Sequence, residues 1–164
     1  GEIAGVTGLP TPGPFEATLW DNKGRAHQLG TLGGEAPISF ANAINNRTQV
    51  VGYSMTWQPG GLRRAFLWEG EALRDLGTLG GAQSAACAIN NSGQIVGWAF
   101  TTAGVQHAFV WEDGQMFDLN DLIPPTPDIV LVAGYHINNQ GVISGIAYLA
   151  GTTIPRGFLL TPER

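Results

Sequence analysis

Residues 85–100 read Ala85-Ala86-Cys87-Ala88-Ile89-Asn90-Asn91-Ser92-Gly93-Gln94-Ile95-Val96-Gly97-Trp98-Ala99-Phe100, and their pattern returns elsewhere in the chain. Ala43-Ile44-Asn45-Asn46 and His136-Ile137-Asn138-Asn139 repeat the first half, with the isoleucines spaced by 45 and 48 residues. Each copy then runs into a glycine, as Val50-Val51-Gly52, Ile95-Val96-Gly97 and Ile143-Ser144-Gly145, and Ile3-Ala4-Gly5 is the same element 47 residues before Gly52. The small-residue run Ala85 to Ile89 predicts a short strand. Asn-Asn-x-Gly predicts a tight hairpin, because Asn and Gly tolerate positive φ. Gln94 to Phe100 predicts a second strand whose Gly97 admits a neighbouring backbone at close range.

Two further blocks complete the repeat. Ala17-Thr18-Leu19-Trp20, Ala65-Phe66-Leu67-Trp68, Ala108-Phe109-Val110-Trp111 and Gly157-Phe158-Leu159-Leu160 form one. Leu29-Gly30-Thr31-Leu32-Gly33-Gly34, Leu76-Gly77-Thr78-Leu79-Gly80-Gly81 and the divergent Leu119-Asn120-Asp121-Leu122 form the other. The period is 43 to 49 residues, which divides one repeat domain, 1–164, into a partial copy 1–34, copies 35–81 and 82–123, and a terminal partial copy 124–164.

At these blocks the sequence resembles the extracellular HAF-type repeat family. That family combines an A-x-A-I-N-x-x-G-Q-V-V-G strand pair, an H-A-F-L-W strand and a D-L-G-T-L-G-G loop. Arg64 to Trp68 with Asp75 to Gly81, and His107 to Trp111, carry the likeness. Asp118 to Pro125 and Phe158-Leu159-Leu160-Thr161-Pro162 resemble the family's closing repeat. The resemblance implies an exported bacterial protein, surface-sorted, and brings no catalytic or ligand-binding residues with it.

Each full copy reads as four antiparallel strands: Ala85 to Ile89, Gln94 to Phe100, His107 to Trp111 and Gln115 to Leu119 in the third. Adjacent apolar residues such as Ile95-Val96 imply that both sheet faces are covered. An all-β fold of tandem four-stranded, β-propeller-like blades meets that demand. The chain holds fourteen such strands, where a closed four-bladed ring needs about sixteen; three repeats could instead suit a threefold β-trefoil or β-prism, but the alternating block chemistry favours blades. Open edges invite a partner, so head-to-tail or dimeric pairing between chains is the expectation. Intrachain closure, zipping the first strand against the last, is its rival.

Composition narrows the function. Charged residues are 13%, against roughly 25% in ordinary domains, and the net charge is −5. With Lys23 the single lysine, no basic stripe can neutralise phosphates, so nucleic acid is excluded as a partner. No apolar run approaches the roughly 18 residues of a membrane span. Cys87 alone makes no disulfide framework or cysteine zinc site and reads as a buried, inert thiol. The chain opens on Gly1 without a signal-peptide pattern, as expected of a trimmed chain or one relieved of a leader.

Trp20, Trp68 and Trp111 recur at one position and therefore read as packing residues. Tyr53, Trp57, Trp98 and Tyr148 differ from copy to copy, which marks them as a contact surface for a sugar or a protein partner. His27, His107 and His136 show no metal-ligand spacing, and Asp118-x-Asn120-Asp121 lacks the oxygens a calcium site takes. No pair of carboxylates is singled out for glycoside chemistry. The Leu-Gly-Thr-Leu-Gly-Gly loops precede no helix or lysine and read as inter-blade crossovers. No catalytic residue, metal or cofactor is expected. The expected function is a non-enzymatic binding or structural module at the cell surface, partnered by its own copies, another surface protein or a glycan. A filament or oligomer subunit joined by edge strands is one alternative, and a glycan-binding module or a propeller enzyme with a central funnel is another.

Overall fold

The computed structural model describes residues 1–8, 15–33, 38–56, 61–125, 128–149, 151–152 and 154–163. Among them there is no helix, and fourteen strands form antiparallel sheets of three, four, four and three. The first sheet holds β1 (Ile3–Gly8), β2 (Phe15–Trp20) and β3 (Ala26–Gln28) in that order. The second holds β4 (Ser39–Ile44), β5 (Val50–Met55), β6 (Arg63–Glu69) and β7 (Ala72–Asp75). The third holds β8 (Gly80–Ile89), β9 (Ile95–Thr101), β10 (Gln106–Glu112) and β11 (Gln115–Asp118). The fourth holds β12 (Ile129–Ile137), β13 (Ile143–Leu149) and β14 (Pro155–Leu160). Every sheet is a meander, each strand pairing with its sequence neighbour.

The sheets stack in chain order. The first strand of each of the last three sheets lies on the sheet before it: β4 on β1 and β2, β8 on β5 and β6, β12 on β9 and β10. Three cores fill the gaps. Ala17, Leu19, Leu29, Val50 and Phe66 lie between the first and second sheets. Val51, Leu67, Ile95, Phe109 and Trp111 lie between the second and third, and Val96, Val110, Leu131 and Ile143 between the third and fourth. Hydrophobic burial on both faces explains the adjacent apolar residues in the inner strands. The outer strands do not close the stack: β1 pairs with β2 alone and β14 with β13 alone, so the intrachain zip is not formed.

Close stacking depends on a bulge in every first strand. Register slips between Ala41 and Ala43, Ala86 and Ala88, and Gly134 and His136, leaving Asn42, Cys87 and Tyr135 as the extra residues. The bulges press carbonyls onto the second strands. A Cβ on Gly52, Gly97 or Gly145 would collide with the carbonyl oxygen of Phe40, Ala85 or Ala133, so only glycine fits there. The hairpins close as the sequence requires, with positive φ at Thr48 (59°), Gly93 (91°) and Gly141 (78°). The glycine loops link one sheet to the next, and Leu29, Leu76 and Leu119 are buried while their amides donate to the Ala17, Ala65 and Ala108 carbonyls.

Candidate functional site

Two repeated polar devices hold the sheets together, and they draw on the recurring Asn-Asn and Leu-Gly blocks. In the first, the Asn45 side-chain oxygen accepts from the Arg47 and Gln49 amides while its Nδ2 donates to the Asn90 carbonyl in the next sheet, at 2.9 Å. Asn90 does the same for Ser92 and Gln94 and donates to the Asn138 carbonyl at 3.1 Å. Beside them, the Asn46 and Asn91 amides donate to the side-chain oxygens of Asn91 and Asn139. Asn138 keeps its local bonds to Gln140 and Val142, and its Nδ2 has no partner among the described residues. In the second device, the Ala17 and Ala65 amides donate to the hydroxyls of Ser39 and Ser84, which donate to the Gly30 and Gly77 carbonyls. The fourth copy has Val132 at this position, and Asn120 exchanges two hydrogen bonds with the Leu131 backbone instead. This is the physical reason the third block diverges to Leu119-Asn120.

The remaining charged contacts follow the same logic. Arg64 pairs with Asp75 across β6 and β7 at 2.9 Å, and His107 Nδ1 sits 2.5 Å from Asp118 at the equivalent place. Eleven residues separate His107 from Asp118, so their contact is not legible in local spacing. Asp118 also accepts from the Asn120 amide and side chain. Asp21 accepts from the Arg25 and Lys23 amides and the Arg25 side chain, with His27 nearby, and these bonds, the Arg25 amide foremost, hold its carboxyl well below the usual range. Among the described residues every buried side-chain nitrogen and oxygen has a partner, and no three histidine, cysteine or acidic side chains gather as metal ligands.

What does not repeat collects elsewhere. The bulge residues Asn42, Cys87 and Tyr135 line one open groove of about 570 Å³, together with His136, Ser144 and Phe158. Asn42 Nδ2 donates to the Ala86 carbonyl at 2.7 Å, and its oxygen has no partner among the described residues. Cys87 is half-buried at the groove wall, not fully buried as the sequence suggests, because the bulge turns it out of the core; partial burial still pushes its thiol up to about 11, so it stays protonated at neutral pH. His136 and Ser144 are register partners and stand where Ala43, Ala88 and Val51, Val96 stand in the earlier copies. Neither Tyr135 nor Ser144 is among the contact residues expected from the sequence; Ser144 departs from Val51 and Val96, whereas Tyr135 stands at a position that differs in every copy.

The aromatic candidates are dispersed. Tyr53 stacks on Phe40 at 5.0 Å with the Arg63 guanidinium 5.0 Å from its ring, and Trp98 meets Phe100 edge-on. Tyr148 is exposed on β13, and Trp57 lies outside the described residues. None of Tyr53, Trp98 and Tyr148 stacks on another of the three. Of the recurring tryptophans, Trp111 is buried, while Trp20 and Trp68 are half-buried.

These features define an all-β repeat protein of stacked antiparallel sheets. The chain belongs to the family described as a protein of unknown function, DUF3466, whose model matches residues 34–154. No curated protein and no solved structure matches it. No helix among the described residues is long and apolar enough to cross a membrane.

Proposed function

We propose that this chain is a non-enzymatic HAF-type repeat module, exported to the cell surface, whose sheets are propeller-like blades in an open stack and whose groove takes a glycan. One observation carries the reading. The repeated polar residues are occupied in stitching sheet to sheet, whereas the groove is where the repeat is broken, by His136 and Ser144, beside the variable bulge residues Asn42 and Tyr135. An exposed aromatic ring among amide, hydroxyl and imidazole groups suits a sugar, which offers an apolar face and a ring of hydroxyls. The paired His107 and Asp118 serve cross-strand register, as Arg64 and Asp75 do, which favours a scaffold over a catalyst.

A glycan array probed with the 164-residue chain tests this. Binding that Tyr135→Ala abolishes and Tyr53→Ala leaves intact is the expected result. Binding indifferent to Tyr135, or none on any glycan, contradicts it.

A further inference from the structure

One position of the repeat changes size where the third and fourth sheets meet. Trp111 is buried between the second and third sheets in the core that holds Leu67, Leu76 and Ile95, with Leu79 packed against it. Trp68 packs between the first and second sheets on the core of Leu19, Leu29 and Val50, with Leu32 beside it. At the third joint the corresponding residues are Val110, Leu119, Ile143 and Leu122, and Leu160 stands in place of the tryptophan. Leu160 for Trp111 and Val110 for Leu67 both remove volume. These five residues line a pocket of about 390 Å³, within the range of roughly 300–1,000 Å³ usual for small-ligand sites. A groove of the first joint differs in kind: the Trp68 ring walls it, and Glu2, Asp21, His27 and Glu71 make it polar. The pocket at the third joint adds Ile123 and Pro124 instead.

We infer that the pocket between the third and fourth sheets binds a small aromatic amine, its ring standing where the other joints place a tryptophan. The argument for the ring is steric and chemical together. The equivalents of these lining residues already pack an indole at the second joint, and an apolar cavity favours an apolar ring over water, which finds few partners there. The argument for the amine is the rim. Gln94 Nε2 donates to Glu112 Oε2 at 2.8 Å, and Glu112 Oε1 has no partner among the described residues. Glu112 and Glu163 are the charged side chains lining the pocket among the described residues, so an ammonium is attracted and a carboxylate repelled. No residue of this pocket lines the groove of Asn42 and Tyr135, so the inference is independent of the glycan reading.

Calorimetric titration of the 164-residue chain with tryptamine, indole and indole-3-acetate tests this. Tryptamine should bind with a Kd below about 1 mM, and at least about tenfold more tightly than indole-3-acetate, with indole between them. Leu160→Trp, which supplies the side chain of the second joint, should abolish tryptamine binding while thermal unfolding shows the fold intact. Should that variant fail to fold, Val110→Leu restores the residue of the second copy and should weaken binding severalfold. Glu112→Gln should narrow the preference for tryptamine over indole-3-acetate. Absence of saturable tryptamine binding at millimolar concentration overturns the inference. So does tryptamine binding that the folded pocket-filling variant leaves intact, indole-3-acetate bound as tightly as tryptamine, or a preference unchanged in Glu112→Gln.

Discussion

Asn45 lies in the β4–β5 hairpin of the second sheet and Asn90 in the β8–β9 hairpin of the third, and the side-chain amide of the first donates across 2.9 Å to the main-chain carbonyl of the second. Forty-five residues on, Asn90 repeats the act toward Asn138. The same asparagine that shapes its own hairpin thereby sets the spacing of the next sheet, so turn register and sheet stacking share one side chain. A buried amide with all its bonds made specifies an arrangement strongly, since any slip leaves it unpaired in a low dielectric.

Asn90→Ala should therefore cost about 2–4 kcal/mol, because it strips partners from two turn amides, Gln94 and the Asn138 carbonyl. Asn138→Ala, whose side chain is exposed and makes only local bonds, should cost about 1 kcal/mol. Urea unfolding of both variants checks the order, and equal losses would remove the inter-sheet role.

Much of this fold is legible in the sequence. The strands, their distribution among copies, the positive-φ turns and the close approach at Gly97 all follow from local chemistry repeated at a fixed spacing. The bulges do not, because an extra residue in a first strand leaves the hydrophobic pattern intact and shows only in pairing. Nor does the groove, since Asn42, Cys87 and Tyr135 share a repeat position yet nothing in their types announces that they meet. The ladder was half visible: Asn-Asn reads as a turn signal, and its second use depends on stacking that only the tertiary structure supplies.

Gly97→Ala should destabilise by about 3 kcal/mol, the upper range for forcing extra volume into a packed site, since the new Cβ meets the Ala85 carbonyl and the Phe109 ring. The solvent-exposed Gly157→Ala, where a Cβ meets nothing, is the control. Thermal unfolding separates them, and similar midpoints would contradict the bulge account.

Thr48 holds a positive φ in the position where Gly93 and Gly141 stand, a strained state for a β-branched residue. Thr48→Gly should stabilise by about 0.5–1 kcal/mol, net of its hydroxyl bond to Glu2. Gly93→Val and Gly141→Val should each destabilise, whereas Thr48→Val should cost less than either. A loss of stability in Thr48→Gly, read by urea unfolding, would show that the turn is not strained.

Trp111→Ala should cost about 3–5 kcal/mol as a buried aromatic deletion, and Trp68→Ala less, because Trp68 is half-buried. Denaturant midpoints rank the two, and the reverse order would contradict the packing described.

The protonated Cys87 thiol predicts slow reaction with a disulfide reagent at pH 8 and stability that falls with rising pH. Its folded pKa of about 11 lies above the ordinary thiol value, so the unfolded chain loses the proton first, and stability declines between about pH 9 and 11. Unfolding of Cys87→Ser across that window should lack this contribution; an identical pH dependence in both chains would contradict it.

Native-state hydrogen exchange of three amides tests the stitched stack most directly. Asn46 and Asn91 donate to asparagine side chains of the following sheet, and Asn139, at the same repeat position, has no such acceptor among the described residues. At dilute concentration the account predicts that the Asn46 and Asn91 amides exchange at least about tenfold more slowly than Asn139, with the Asn91 protection lost in Asn139→Ala. Three amides exchanging alike, or an Asn91 amide indifferent to Asn139, would contradict it.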